Sequence, residues 1–324
     1  MITRRRMLLF GGALAAVAAG GFVALGFRDD RAAAHVRLSR IDTASARTRH
    51  GPMEYAVAGS GPPVLMIHGS GGGFDQALDM GRPLIDLGYA MIAPSRFGYP
   101  GTPMPGDPGH AAQADALADL LDGLGIERLA VVGGSAGAVP AISFAIRHPD
   151  RCAALVALVP AVPVPGDPPM APWSPLQERA AHAVLGSDLL FWAVLRVAPG
   201  FAIRTLLATD PDLLAAAGAA ERARVQAILD GVLPVSARRD GLLNDARETG
   251  HAVLDYGAIR VPTLALSLED DLFGTARGAR MLAATVPGAE LVILPDGGHV
   301  WVGHEAEVFG AIGSFLRRVG YGPA

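Results

Sequence analysis

From residue 53 the chain alternates short apolar runs with stretches whose apolar residues recur at helical spacing. The segments "MEYAVAG", "VLMIHG", "YAMIAPS", "RLAVVG" and "AALVALVP" read as strands. Those after the first are apolar almost throughout, as in a sheet buried on both faces. Between them "FDQALDMGRPLIDLG", "HAAQADALADLLDGLG" and "AGAVPAISFAIRHP" read as helices. The first places Leu78, Leu84 and Leu87 on an inner face, and the second Ala114, Leu117, Leu120, Leu121 and Leu124. Strands alternating with helices predict an α/β fold, a mostly parallel central sheet with helices on both faces.

The rhythm breaks after Pro160. "AVPVPGDPPMAPWSP" is too rich in proline to continue the sheet, and helical patterns without strands follow to about residue 255. "TDPDLLAAAGAAERARVQAILDG" reads as one helix, with Asp210 as its cap, Pro211 at its first position and Gly231 at its end. "SDLLFWAVLRVAPG" is apolar nearly all round, which predicts a buried helix. Residues 161–255 therefore form a helical cap inserted into a core of residues 35–160 and 256–324. The sheet pattern returns in "VPTLALSL", the helix "GARMLAATVPG", the strand "ELVILPD" and the final helix "AEVFGAIGSFLRRVG".

Residues 1–34 stand apart. Arg4, Arg5 and Arg6 precede an uncharged run from Met7 to Phe27, similar to a twin-arginine export signal. The run exceeds an ordinary secretory core and approaches the length that spans a bilayer. Its Gly and Ala content suits a cleavable signal better than a firm anchor, and Ala32-Ala33-Ala34 offers a cleavage site. Either way the arginines stay cytoplasmic and the body is exported, periplasmic or extracellular, with membrane contact only through this segment.

Composition narrows the function. A net charge of −4 argues against nucleic acid as a partner. Cys152 is the only cysteine, so no internal disulfide and no cysteine-rich metal site can form. It sits beside an apolar run and reads as a small core residue.

The chemistry gathers at three loops. In "VVGGSAG" Ser135 ends a strand and begins a helix, with Gly133 and Gly137 letting the chain turn sharply. The turn raises the hydroxyl at the carboxyl edge of the sheet, where parallel sheets place their ligands. A serine hydroxyl needs a base, itself held by a carboxylate. "VPTLALSLEDD" puts Glu269, Asp270 and Asp271 just beyond a strand, and "DGGHVWV" puts His299 beyond the last one.

Together with "VLMIHGSGG", these segments resemble the α/β-hydrolase superfamily, and within it the capped, lipase- and esterase-like serine hydrolases. The resemblance covers residues 53 to about 318, the insertion excepted. It implies a Ser135–His299–Asp271 triad, with Asp270 in reserve because Leu268 replaces the glycine that usually marks the acid. It implies an oxyanion hole from the Ala136 and Ser70 N–H groups, a structural role for His68, and no metal or organic cofactor. His148, His182 and His304 fall outside the triad.

Two departures are expected to alter the pocket wall. Gly134 stands where many relatives carry a bulkier residue, and "PSRFGYPGTP" lacks a leading aspartate. The expected reaction is hydrolysis of a small to medium hydrophobic ester, thioester or lactone through an acyl-enzyme. Trp173, Phe191 and Trp192 either line an apolar pocket or pack the cap. Serine at 135 excludes the relatives that use aspartate there. C–C bond hydrolysis and cofactor-free perhydrolysis share the triad, and a non-catalytic ligand-binding protein is the rival of another class.

Overall fold

A computed structural model describes residues 24–166 and 174–323. The twin arginines and Trp173 lie outside them. Eight strands form one sheet in the order β1-β2-β4-β3-β5-β6-β7-β8. They are β1 (Thr43–Thr48), β2 (Gly51–Ala58), β3 (Pro63–Ile67), β4 (Ala90–Pro94), β5 (Leu129–Gly134), β6 (Cys152–Leu158), β7 (Thr263–Leu268) and β8 (Glu290–Leu294). β1 and β2 pair antiparallel, as do β2 and β4; from β4 to β8 the pairing is parallel.

Strand alternation divides the core. Leu65, Ile67, Val131 and Leu155 face a cluster with helices α3 (His110–Leu124), α4 (Ala138–Arg147) and α11 (Thr275–Thr285). Val64, Met66, Val132 and Val156 face the opposite cluster, with α2 (Phe74–Asp86) and α12 (Glu305–Arg318). This is the expected α/β sheet with helices on both faces. β1 is an addition: "TASART" lacks apolar alternation because it is an edge strand with most of its side chains exposed.

Between β6 and β7 the described residues form six α-helices: α5 (Pro175–Leu185), α6 (Asp188–Val197), α7 (Pro199–Leu206), α8 (Pro211–Ala216), α9 (Ala219–Gly231) and α10 (Arg239–His251). The single helix expected over 209–231 is two. Asp210 caps α8 through its side chain and Pro211 starts it, but the chain is extended at Ala217 and Gly218 before α9 begins. α6 also departs from expectation. Phe191, Trp192 and Leu195 are buried, whereas Leu189, Leu190 and Val197 are exposed.

The first described element is a helix, α1 (24–39), which runs through the expected cleavage site. Ala34 is buried in the cap core with Trp192, Leu195, Leu229 and Val235. The expected boundary at residue 34 thus falls inside a helix packed on the cap.

Candidate active site

The turn after β5 is shaped by close backbone approach. A Cβ on Gly133 would lie 2.5 Å from Ala141 Cβ, and one on Gly137 would lie 2.4 Å from Ile67 O. Neither distance is compatible with a side chain, so only glycine fits at both positions. Ser135 itself has φ 53°, a left-handed conformation uncommon outside glycine. The hydroxyl is held at the sheet edge at the cost of that local strain.

Ser135 Oγ lies 2.9 Å from His299 Nε2, and His299 Nδ1 lies 2.7 Å from Asp271 Oδ2. With Nδ1–H donating to the carboxylate, Nε2 is free to accept the serine proton. Asp271 is fixed in turn: its Oδ1 accepts from the Phe273 N–H at 2.9 Å, and its Oδ2 accepts from the Thr275 hydroxyl. Ser267 Oγ lies 2.8 Å from Thr275 Oγ1 and can donate to it. The Phe273 ring stands edge-on to the imidazole, with centroids 5.0 Å apart. Asp270 does something else: its two oxygens accept from the Gly297 and Gly298 N–H groups and so shape the histidine loop.

The loop after β3 supplies the other side. Gly69 abuts the serine, since a Cβ there would lie 3.0 Å from Ser135 Cβ. Gly69 N–H donates to Gln76 Oε1 and Gly71 N–H to Tyr99 OH. Between these engaged amides, Ser70 N–H has no acceptor among the described residues, and Ser70 and Ala136 both line the cavity over Ser135. His68 lies beneath the loop, fully buried. Its Nε2 accepts from Arg96 N–H, so its Nδ1–H donates to Gly69 O. Burial, then the Arg96 and Arg238 guanidiniums, push its pKa well below the usual histidine range and keep it neutral.

Two cap residues hold this loop through buried ion pairs. Asp245 on α10 takes Arg96 Nη1 at 2.6 Å and Nη2 at 2.5 Å, and also accepts from Tyr99 OH at 2.5 Å and Ser70 Oγ at 2.9 Å. Arg96 continues to the carbonyls of His68 and Gly69. Burial opposes the charge on Arg96, but Asp245 outweighs it and raises its pKa. Burial and then Asp245 push the Tyr99 phenol well above its usual value, so it remains a donor. Arg238 pairs with Asp75 of α2 and donates to Gly72 O. A third cap contact reaches the histidine loop: Thr209 Oγ1 accepts from the His299 N–H.

Asp245, Arg238, Thr209 and Thr275 were not marked by sequence reasoning. None lies in a local motif, and their partners are up to 175 residues away. The remaining histidines stand elsewhere. His148 pairs with Asp115, His182 with Arg239, and His304 with Asp296 and Glu307.

Of the two departures, only one reaches the pocket wall. Met80 Cε fills the space where a Cβ on Gly134 would go, and Met80 lines the cavity. Ser95, in the loop lacking its aspartate, is fully buried and accepts from the Phe74 N–H at the start of α2. It does not line the cavity.

A cavity of about 1210 Å³ opens above Ser135 and His299. Val162, Leu185, Val194, Phe201, Leu207 and Ile228 make much of its wall, while Asp79, Arg82 and Asp86 of the α2 face add polar groups. Phe191 is on the cavity, whereas Trp192 packs edge-on against Phe27 of α1. Among the described residues no cluster of His, Cys, Asp and Glu could hold a metal ion.

Sheet order, strand–turn–helix serine and inserted cap already define a fold family, and residues 62–302 match its profile, described as the alpha/beta hydrolase fold. The chain is an α/β-hydrolase. Like other members it is an enzyme of the hydrolase class.

A 2-hydroxy-6-oxo-6-phenylhexa-2,4-dienoate hydrolase of Comamonas testosteroni is 33% identical over 113 residues, which cover 33% of this chain and 40% of that one. The match to this relative therefore spans less than half its length. An alpha/beta hydrolase fold protein from Nakamurella multipartita superposes with a TM-score of 0.66 at 29% identity, over 86% of this α/β-hydrolase and all of that chain. A membrane phospholipase A superposes with a TM-score of 0.63 at 22% identity, over 98% of this chain and 99% of its own, a likeness of fold alone.

Proposed function

We propose that this α/β-hydrolase cleaves a hydrophobic carboxylic ester, or the related thioester or lactone, through an acyl-enzyme on Ser135. The observation that carries the reading is the continuous hydrogen-bond chain Ser135–His299–Asp271 at the floor of a large, mainly apolar cavity. At about 1210 Å³ the cavity exceeds the ~300–1,000 Å³ usual for small-ligand pockets, which favours a substrate with an acyl chain.

In the mechanism, His299 Nε2 takes the Ser135 proton as Oγ bonds to the carbonyl carbon. The oxyanion forms between the Ser70 and Ala136 N–H groups, which together supply several kcal/mol, about 3 per donor in related sites. Asp271 keeps the imidazole in the accepting tautomer and stabilises its cation. His299 then returns the proton to the leaving alcohol. Water attacks the acyl-enzyme, with His299 as base, and Ser135 is regenerated with release of the acid.

The decisive test is a fluorophosphonate probe on the full-length wild type and on Ser135→Ala, read by intact mass. A single adduct on the wild type alone supports the reading, and p-nitrophenyl esters of increasing chain length then define the acyl preference. No adduct on folded wild type refutes it and leaves a ligand-binding role. Cleavage of a C–C bond is a second reading, favoured by the name of the Comamonas relative. It requires turnover of a vinylogous diketone at a rate exceeding that of any ester. The arginines before Met7 support export, with the catalytic body outside the cytoplasmic membrane.

A further inference from the structure

Among the described residues, the outer face of α6 is apolar and largely exposed. Leu190 is 47% exposed and Val197 84%. With the half-buried Val194 they form one stripe at i, i+4 and i+7. Leu189, 45% exposed, widens it toward α1. On α7 the stripe continues through Phe201 and Leu206, both exposed and both lining the cavity. The apolar surface therefore reaches the rim of the cavity above Ser135. An exposed patch of this kind marks a contact surface.

What covers it is indicated by α1. Trp192 Nε1 donates to Asp30 Oδ2 at 2.7 Å, and Arg196 donates to the same oxygen from Nη2 at 2.7 Å. Phe27 stacks edge-on with Trp192 at 5.8 Å. Arg37 donates to the carbonyls of Asp230, Gly231 and Leu233, satisfying the C-terminal end of α9. The helix is thus fastened along α6 and α9, and its first turns leave Leu25 exposed. The 21 uncharged residues Met7–Phe27 lead into it. Their number matches the ~20 apolar residues needed to cross a bilayer core. Cleavage at Ala32–Ala34 would require withdrawing a buried alanine from the cap and discarding the Asp30 and Phe27 contacts.

We propose that Met7–Phe27 is retained as an anchor, and that α1 seats the outer face of α6 on the lipid bilayer with the cavity rim turned toward the acyl chains. The cap surface then contributes a second, interfacial contact beside the anchor. Attraction is apolar rather than electrostatic, since residues 35–324 carry a net charge of −7 (the −4 of the whole chain less the +3 of residues 1–34). Delivery of a membrane-dissolved ester to Ser135 rests on the hydrolase reading above; the docking itself does not.

The test uses the full chain in vesicles of phosphatidylcholine and phosphatidylglycerol. Cys152 is buried, with its thiol pKa pushed up to about 12, so a thiol-reactive environment-sensitive dye will label Val197→Cys at that site alone. Expected are a blue-shifted, brighter emission on vesicles and quenching by a spin label on the upper acyl chain. The double variant Leu190→Glu/Val197→Glu, whose positions do not line the cavity, should hydrolyse a long-chain ester in vesicles roughly tenfold more slowly while its rate on a soluble short ester stays within about twofold. Intact mass of the membrane-extracted protein should retain Met7–Ala34.

Emission unchanged on vesicles overturns the docking, as does a dye that is shielded in detergent only as protein concentration rises, which would make a second copy the occupant. Loss of the residues before His35 overturns the anchor. An inert Ser135 with a shielded dye refutes the hydrolase reading and leaves the docking standing.

Discussion

Replacing Asp245 by asparagine tests whether the cap builds the oxyanion loop or merely covers it. Asp245 and Arg96 are each about 3% exposed, so neither partner can turn to water when the other is lost. The asparagine oxygen can still accept from Tyr99 and Ser70 if it takes the position of Oδ2. Its amide nitrogen then faces Arg96 Nη1, donor against donor, and the guanidinium has no countercharge. Removing one partner of a buried ion pair costs about 3–5 kcal/mol, and the retained contacts place this change near the lower figure, about 3. The loop meanwhile loses the charge that holds Arg96 against the His68 and Gly69 carbonyls. An oxyanion donor that is misplaced rather than deleted should cost part of the ~100- to 1,000-fold that deletion costs, so about 10- to 100-fold in kcat with KM little changed.

Urea melts would give the first quantity and turnover of a p-nitrophenyl ester by folded enzyme the second. The double variant Arg96→Met/Asp245→Leu separates the two effects. An apolar pair strands no buried charge, but it leaves the Tyr99 hydroxyl and the His68 and Gly69 carbonyls without their partners, so it should recover only part of the stability and leave kcat low. If Asp245→Asn keeps kcat within twofold of wild type, or if the double variant recovers kcat with stability, positioning of the loop by the cap is refuted.

Other substitutions probe the remaining geometry. Asp271→Asn should lower kcat by about 10⁴, as expected when the imidazole loses the tautomer it needs. Asp270→Asn should lower it far less and instead reduce stability by about 1–2 kcal/mol, since it shapes only the Gly297–Gly298 backbone; comparable kcat losses in the two would reverse the assignment. Gly137→Ala should destabilise by more than about 2 kcal/mol in a thermal melt, because its methyl would meet Ile67 O at 2.4 Å, and a neutral result would contradict the close approach.

His304 donates to both Asp296 and Glu307, which requires the cation; hydrogen bonding to Asp296, opposed by burial and aided by Glu307, raises its pKa above the usual 6.5. Its contribution is therefore full below pH 6.5 and is lost as pH rises through the raised value. Between about pH 5.5 and 9 the difference in Tm between wild type and His304→Gln should narrow only over that window, while the Asp296 and Glu307 carboxylates stay ionised.

What was legible in the sequence is what local chemistry dictates. Gly133, Ser135 and Gly137 announce their turn because only glycine survives such backbone crowding, and His299 announces itself by following a strand and a glycine. The parallel strands are legible because a sheet covered on both faces must be apolar throughout. β1 was not, since an edge strand need not bury alternate residues. The break before α9 was hidden because Gly218 sits within an otherwise continuous helical pattern. α6 shows a different limit: apolar periodicity says that a surface avoids water but not what replaces the water. Asp245 was beyond reach entirely, for nothing near it in the chain distinguishes it from any solvent-facing helix carboxylate.

The pairs Arg96–Asp245 and Asp75–Arg238 also set the terms of traffic through the molecule. A cap that swung away as a lid would strand two charges on each side of the seam. It is better regarded as a fixed roof over the serine. Substrate and product must then pass through a doorway between the helices, opened by rotamer changes of residues such as Phe201 and Leu206. Access time would be set by side-chain motion on the nanosecond scale, not by domain motion a thousandfold slower or more.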